Sequence, residues 1–155
     1  MSGRELLRHA LAVLAYRAGK PLRDAPAAFA NFDTGGGHTP LVILAHLGDL
    51  LEWTLSHARG EAKWPAHEPG TWDAERARFY SALADLDACF ASDEPIRQDE
   101  GRLLAGPIAD ALTHVGQLMM LRRMSGSPVY GENYLVADIV TGRVGPDQSP
   151  PVKAF

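Results

Sequence analysis

TPLVILAHLGDLLEWTLSHARG, residues 39–60, decides the fold. Thr39 offers a side-chain oxygen to the free N–H groups of a helix start, and Pro40 suits the first helical position, where no N–H is needed. Ile43, His46, Leu47, Leu50 and Trp53 then recur at spacings of three and four, which places them on one helical stripe. His57 and Arg59 stand in the last turn, where cations suit the dipole, and Gly60 takes the left-handed cap. One such stripe cannot be hidden by a lone helix, so the segment demands partner helices.

Working outward, three more segments carry the same period. Leu7, Leu11, Leu14 and Ala18 form a stripe that Gly19 and Pro21 are expected to end. Thr71, Asp73 and Glu75 open a third helix whose buried face reads Phe79, Leu83, Leu86, Phe90. A fourth is expected to begin around Gly106-Pro107. Ile108, Leu112, Val115 and Met119 share one of its stripes, and Asp110, His114, Gln117 and Leu121 share the next. Arg122-Arg123, Gly126 and Pro128 close it. The connection from Lys20 to Thr39, with Gly35-Gly36-Gly37, is long, and the others are shorter. The pattern predicts an all-α four-helix bundle over residues 1–128. Residues 129–155, where Tyr130, Tyr134, Gly and Pro gather, are expected to form an irregular tail on the bundle with a short helix around Glu132 to Thr141. The whole reads as one domain.

Composition excludes several classes of function. The 155 residues are 46% hydrophobic and 22% charged, the balance of an ordinary globular domain. A net charge of -4 gives no basic face for nucleic acid or an anionic membrane, so neither partner is expected. Cys89 is the single cysteine, which rules out an internal disulfide and any multi-cysteine zinc site. No apolar run approaches membrane-spanning length, and the first residues lack the pattern of a secretion signal. A cytoplasmic location is expected.

The residues that can carry chemistry are few. His46 shares a stripe with Ile43, Leu50 and Trp53, and a histidine there is either a satisfied core residue or a ligand. Asp110 and His114, four apart on one helix, are either a local ion pair or two more ligands. Taken together, two imidazoles and one carboxylate from two helices give a three-ligand centre with open positions for water or substrate. A divalent ion is the expected cofactor, and zinc, nickel, manganese and ferrous iron all suit such a donor set. Asp49, one turn after His46, and Gln117, one turn after His114, are candidates to orient the ligands from behind. His38 precedes the second helix and is placed to overhang the centre. His9, His57 and His67 are expected in solvent. Trp53, Trp64 and Trp72 are expected to pack, and Cys89 has no recognisable base beside it.

The run from Thr39-Pro40 to Trp53, followed downstream by Asp110-Ala111-Leu112-Thr113-His114-Val115-Gly116-Gln117-Leu118 and the ending Arg122-Arg123-Met124-Ser125-Gly126, resembles the DinB/YfiT-like family over roughly residues 4 to 126. The His-x-Gly-Gln element at His114 is the most specific part. The resemblance implies a metal held by one histidine of the second helix and two of the fourth, so that His46 matches the first ligand and His114 the last. The middle ligand, usually histidine, is Asp110 here. Either Asp110 ligates through oxygen or the site has lost a ligand. The resemblance further implies a metal-dependent enzyme acting on a small molecule, with low-molecular-weight thiol transfer or hydrolysis as its chemistry, and pairing as a homodimer. The alternative is a non-catalytic metal-binding or stress-related dimerising bundle.

Overall fold

The computed structural model describes residues 1–155 and is all-helical. Helix α1 spans Gly3–Leu22, α2 Pro40–Ala58 and α3 Trp72–Ala91. Helix α4 is continuous but built in three parts: an α-turn Glu100–Leu103, a π-turn Leu104–Ile108, and the α-helical stretch Ala109–Met124. Each start is capped by a side chain. Ser2 and Glu5 exchange bonds in a capping box, Thr39 accepts the Val42 N–H, Thr71 accepts that of Ala74, and Asp99 accepts that of Arg102.

Helices α1 and α2 each pack against α3 and α4, so α1 faces α2, and α3 faces α4, across the diagonals of the bundle. The long first connection crosses the end of the bundle between diagonal partners, and its 3₁₀ turn Ala27–Asn31 plugs that end with Phe29. Most of the expected stripes supply the core, with Leu7, Leu11, Leu14, Ile43, Leu47, Leu50, Phe79, Leu83, Leu86, Ile108 and Val115 buried. Leu44, Leu51 and Leu118 join it from outside those stripes, and Trp53, Leu112 and Met119 are only half-buried.

Three boundaries differ from the sequence reading. Helix α1 runs past Gly19 and Pro21 to Leu22. Proline so near a C-terminus forfeits a single intrahelical bond, and the carbonyls beyond it are satisfied from outside by Arg122. Helix α4 begins at Glu100, not at Gly106-Pro107. Pro107 lies within it, and the widened π-turn accommodates the missing N–H and the ring without a break. The short helix expected from Glu132 to Thr141 is a single 3₁₀ turn, Tyr134–Val136, capped by Asn133.

Residues 129–155 lie along α1. Glu132 pairs with Ala154 in one antiparallel bridge, with Asn133 N donating to Lys153 O (2.9 Å) and Phe155 N to Gly131 O (3.1 Å). Glu132, 3% exposed, anchors this return. Its Oε2 accepts from the Tyr16 hydroxyl (2.9 Å), and its Oε1 sits 2.7 Å from the Lys20 ammonium, a charge contact without hydrogen-bond alignment. Arg17 stacks 4.0 Å over the Tyr134 ring. Glu132→Ala is expected to cost about 2 kcal/mol, the worth of hydrogen bonds to a charged group. Residues 129–155 should become sensitive to limited proteolysis while the helical circular dichroism persists.

Burial first, and Glu132 second, push the Tyr16 phenol from its ordinary 10.0 to about 12. A value raised in the folded state means that the anchor's contribution is complete below pH 10 and is lost as pH climbs toward 12.

Candidate metal centre

His46, Asp110 and His114 come together in the groove between α2 and α4, with one ligand atom of each within 4.8 Å of the other two. Helix α2 carries His46 at the margin of its apolar stripe, and the first α-helical turn after the π-turn of α4 presents Asp110 and, one turn on, His114. His46 Nε2 is 3.8 Å from Asp110 Oδ2, and His114 Nδ1 is 3.4 Å from Asp110 Oδ1. The imidazole centroids are 4.7 Å apart, edge to face.

The sequence reading places these side chains in the bundle interior. They stand instead at its edge: the His46, Asp110 and His114 side chains are 34%, 47% and 20% exposed. Helical period fixes a residue's angle on its own helix, and the rotation of α2 and α4 against each other turns this sector toward the outer groove.

The tautomer of His114 is set by its surroundings. Its Nδ1 lies 2.9 Å from the Asp110 backbone carbonyl, which can only accept, so Nδ1 carries the proton and Nε2 keeps its lone pair. The His46 ring is held below its ordinary value, first by burial and then by the nearby His114, against opposing pulls from Asp110 and Asp49. It is therefore neutral at neutral pH, the form that ligates a metal. Bonds of about 2.1 Å place tetrahedral ligands about 3.4 Å apart. The close approach to Asp110 is made by the protonated His114 Nδ1, so His114 would ligate through Nε2 after its ring and the other two side chains shift toward a common ion.

The neighbouring side chains depart from expectation. Asp49 does not hydrogen-bond an imidazole: its Oδ1 accepts from Arg78 Nη2 at 2.6 Å. Gln117 is exposed and makes no hydrogen bond, lying in the next cavity along α4 rather than behind His114. His38 lines both that cavity, about 350 Å³, and the one of about 230 Å³ that holds His46, Asp49 and His114. His67 is exposed, as expected, and its Nε2 donates to the buried Glu75 carboxylate at 2.7 Å.

Trp64 is the residue that sequence reasoning missed. Its ring lies 5.7 Å from His46 and 5.4 Å from Trp53, walling one side of the centre. The loop that carries it leaves α2 through Gly60, whose φ of 83° reverses the chain. It is pinned by Ser56, whose Oγ donates to Lys63 O (3.0 Å) and accepts from Lys63 N (2.9 Å). The proximity of Lys63-Trp64 to the end of α2 was readable, but the inward turn depends on Ser56.

No helix is long and apolar enough to cross a membrane. No protein-family model, curated protein or solved structure matches the chain, so the reading of this centre rests on its own geometry.

Proposed function

We propose that His46, Asp110 and His114 bind one divalent transition-metal ion, and that the chain is a metal-dependent enzyme of DinB/YfiT-like type acting on a small electrophile. The observation that carries this reading is the convergence of three donors from two helices, with the His114 tautomer already fixed for ligation. A half-exposed centre beside a cavity of about 230 Å³ suits a reactive site better than a structural one, because structural sites are closed by four protein ligands. Two nitrogens and one oxygen fit zinc, nickel, manganese or ferrous iron.

When bound, such an ion supplies Lewis acidity that lowers the pKa of a thiol or water at its open position. The chain's residues supply the rest. Trp64 shields one side of the centre from water, and His38 borders both the small cavity and its wider neighbour, within which a substrate can lie. Helix α4 leaves Met120 and Met124 51% and 56% exposed, a face on which two copies can pair as a homodimer.

Metal analysis of the purified protein tests the centre. One equivalent of bound ion is expected, lost in His46→Ala with the helical spectrum unchanged. A protein that takes up no zinc, nickel, manganese or iron on titration would defeat the reading. With the ion in place, conjugation of a low-molecular-weight thiol to an electrophilic acceptor, and hydrolysis of small esters and amides, are the activities to screen.

A further inference from the structure

Arg122 is 5% exposed, and no carboxylate bonds it. Its Nε donates to Ser127 O (2.8 Å) and Ser127 Oγ (3.0 Å), and its Nη1 to Pro21 O (2.8 Å) and Arg23 O (3.1 Å). These carbonyls gather at the C-terminal ends of α1 and α4, whose partial negative charge offsets part of the guanidinium charge. Nη2 meets no acceptor within the fold. Burial pushes the guanidinium down from its ordinary value, with Asp24 as the opposing charge. Nη2 is not among the buried atoms shut off from solvent, so it is open to an acceptor from outside the fold.

Arg122 lines a cavity of about 400 Å³ between the end of α1 and the returning tail. Lys20 and Arg23 line it too, with Asp24 as its acidic residue. Lys20 is already matched by Glu132, whereas Arg23 makes no ion pair and bends back toward Gly19. With Lys20 matched, Arg23 and Arg122 stand against Asp24 alone, a positive balance. The rest of the wall includes Val129, Pro128 and Tyr130, apolar or aromatic surface contributed by the chain after α4. Arg122 is eight residues past His114, about 12 Å of helix rise, and faces α1 rather than α2, so this cavity is separate from the metal centre.

We propose that this cavity is a second binding site, for a small organic anion whose carboxylate or phosphate head meets Arg122 Nη2 and Arg23 while its apolar body rests on Val129 and Pro128. A planar guanidinium with a free nitrogen and a second arginine nearby is the donor set that oxyanion heads select. The volume falls within the range of small-molecule sites.

Calorimetric titration of the purified full-length protein with benzoate, phenyl phosphate and inorganic phosphate tests this. Saturable one-to-one binding of benzoate or phenyl phosphate is expected, weakened about tenfold or more in Arg23→Glu, which reverses a charge at the cavity without touching the hydrogen bonds of Arg122. His46→Ala should leave the binding unchanged. No saturable binding of any probe up to millimolar concentration overturns the proposal, as does binding equally tight in Arg23→Glu or binding lost in His46→Ala. Inorganic phosphate bound as tightly as phenyl phosphate overturns the assignment to an organic anion.

Discussion

Arg78→Met is expected to lower the unfolding free energy by about 3–5 kcal/mol, the range for breaking a buried ion pair and leaving its partners uncompensated. The Arg78 side chain, 15% exposed, bridges α3 to α2. Nε and Nη2 donate to the two Glu52 oxygens (2.8 and 3.0 Å), Nη2 also to Asp49 Oδ1 (2.6 Å), and Nη1 to Ala45 O (3.1 Å) and Glu75 Oε2 (3.4 Å). Burial works against its charge, but Glu52 and Asp49 outweigh that and raise its pKa above the ordinary arginine value. Methionine preserves much of the stem and removes every donor, so Asp49 and Glu75 are left as buried or nearly buried carboxylates without their cation. Urea unfolding gives the loss directly. A change under about 1 kcal/mol would show that water screens the cluster as it screens a surface pair. Asp49→Asn added to Arg78→Met should recover part of the loss, because the two positions are coupled.

Helix α2 makes room for this crossing at Gly48, where an added Cβ would stand 2.8 Å from Arg78 Nη1. The same cluster gives the fold an acid limit. Burial pushes the Glu75 carboxyl up, but the Gly70 N–H, His67 and Arg78 together hold it below its ordinary 4.5. A depressed value in the folded state means that its contribution is present above pH 4.5 and is lost as pH falls through the folded value.

The pairing of this cluster through Arg78 was not visible in the sequence, although Asp49 and Glu75 were singled out for other roles, and the reason is physical. Leu7-Leu11-Leu14 or Phe79-Leu83-Leu86 announce themselves because burial imposes a period on one helix. Arg78 and Glu52, 26 residues apart, obey no local rule, and each alone reads as a solvated charge. Ser2-x-x-Glu5, by contrast, is a local capping signal, though the first helix was read from its apolar stripe without it. The π-turn was not legible: Gly106-Pro107 is a legitimate helix start by local chemistry, and only the continuation of α4 back to its cap at Asp99 shows otherwise. The three metal-ligating candidates were legible as a set only in conjunction, from the shared face of Asp110 and His114, the place of His46 on an apolar stripe and the family resemblance, since each alone read equally as a core histidine or a local ion pair. Their outward setting was not, and neither was Trp64, which reaches the centre from a loop without periodicity.

Asp110 is where the second large effect is expected. Asp110→Asn keeps the shape of the side chain and removes its charge, so an ion would be left with two neutral imidazoles and a weak amide oxygen. Altering a residue that merely supports a ligand costs ten- to a hundredfold in metal affinity, so loss of the anionic ligand itself should cost about a hundredfold or more. Folding should barely respond, since Asp110 is exposed and its carboxylate touches only His46 and His114 at 3.4–3.8 Å. The pair of readouts separates a ligand from a structural residue: zinc affinity measured by chelator competition falls while the melting temperature stays. Asp110→His should then restore binding with a changed preference, because a third imidazole in place of a carboxylate favours nickel and zinc over manganese. Parallel titrations with manganese and zinc read that preference as a ratio. Zinc bound equally well by the protein and by Asp110→Asn would show that the carboxylate stands beside the ion without holding it, and that the centre is a two-histidine site completed by water.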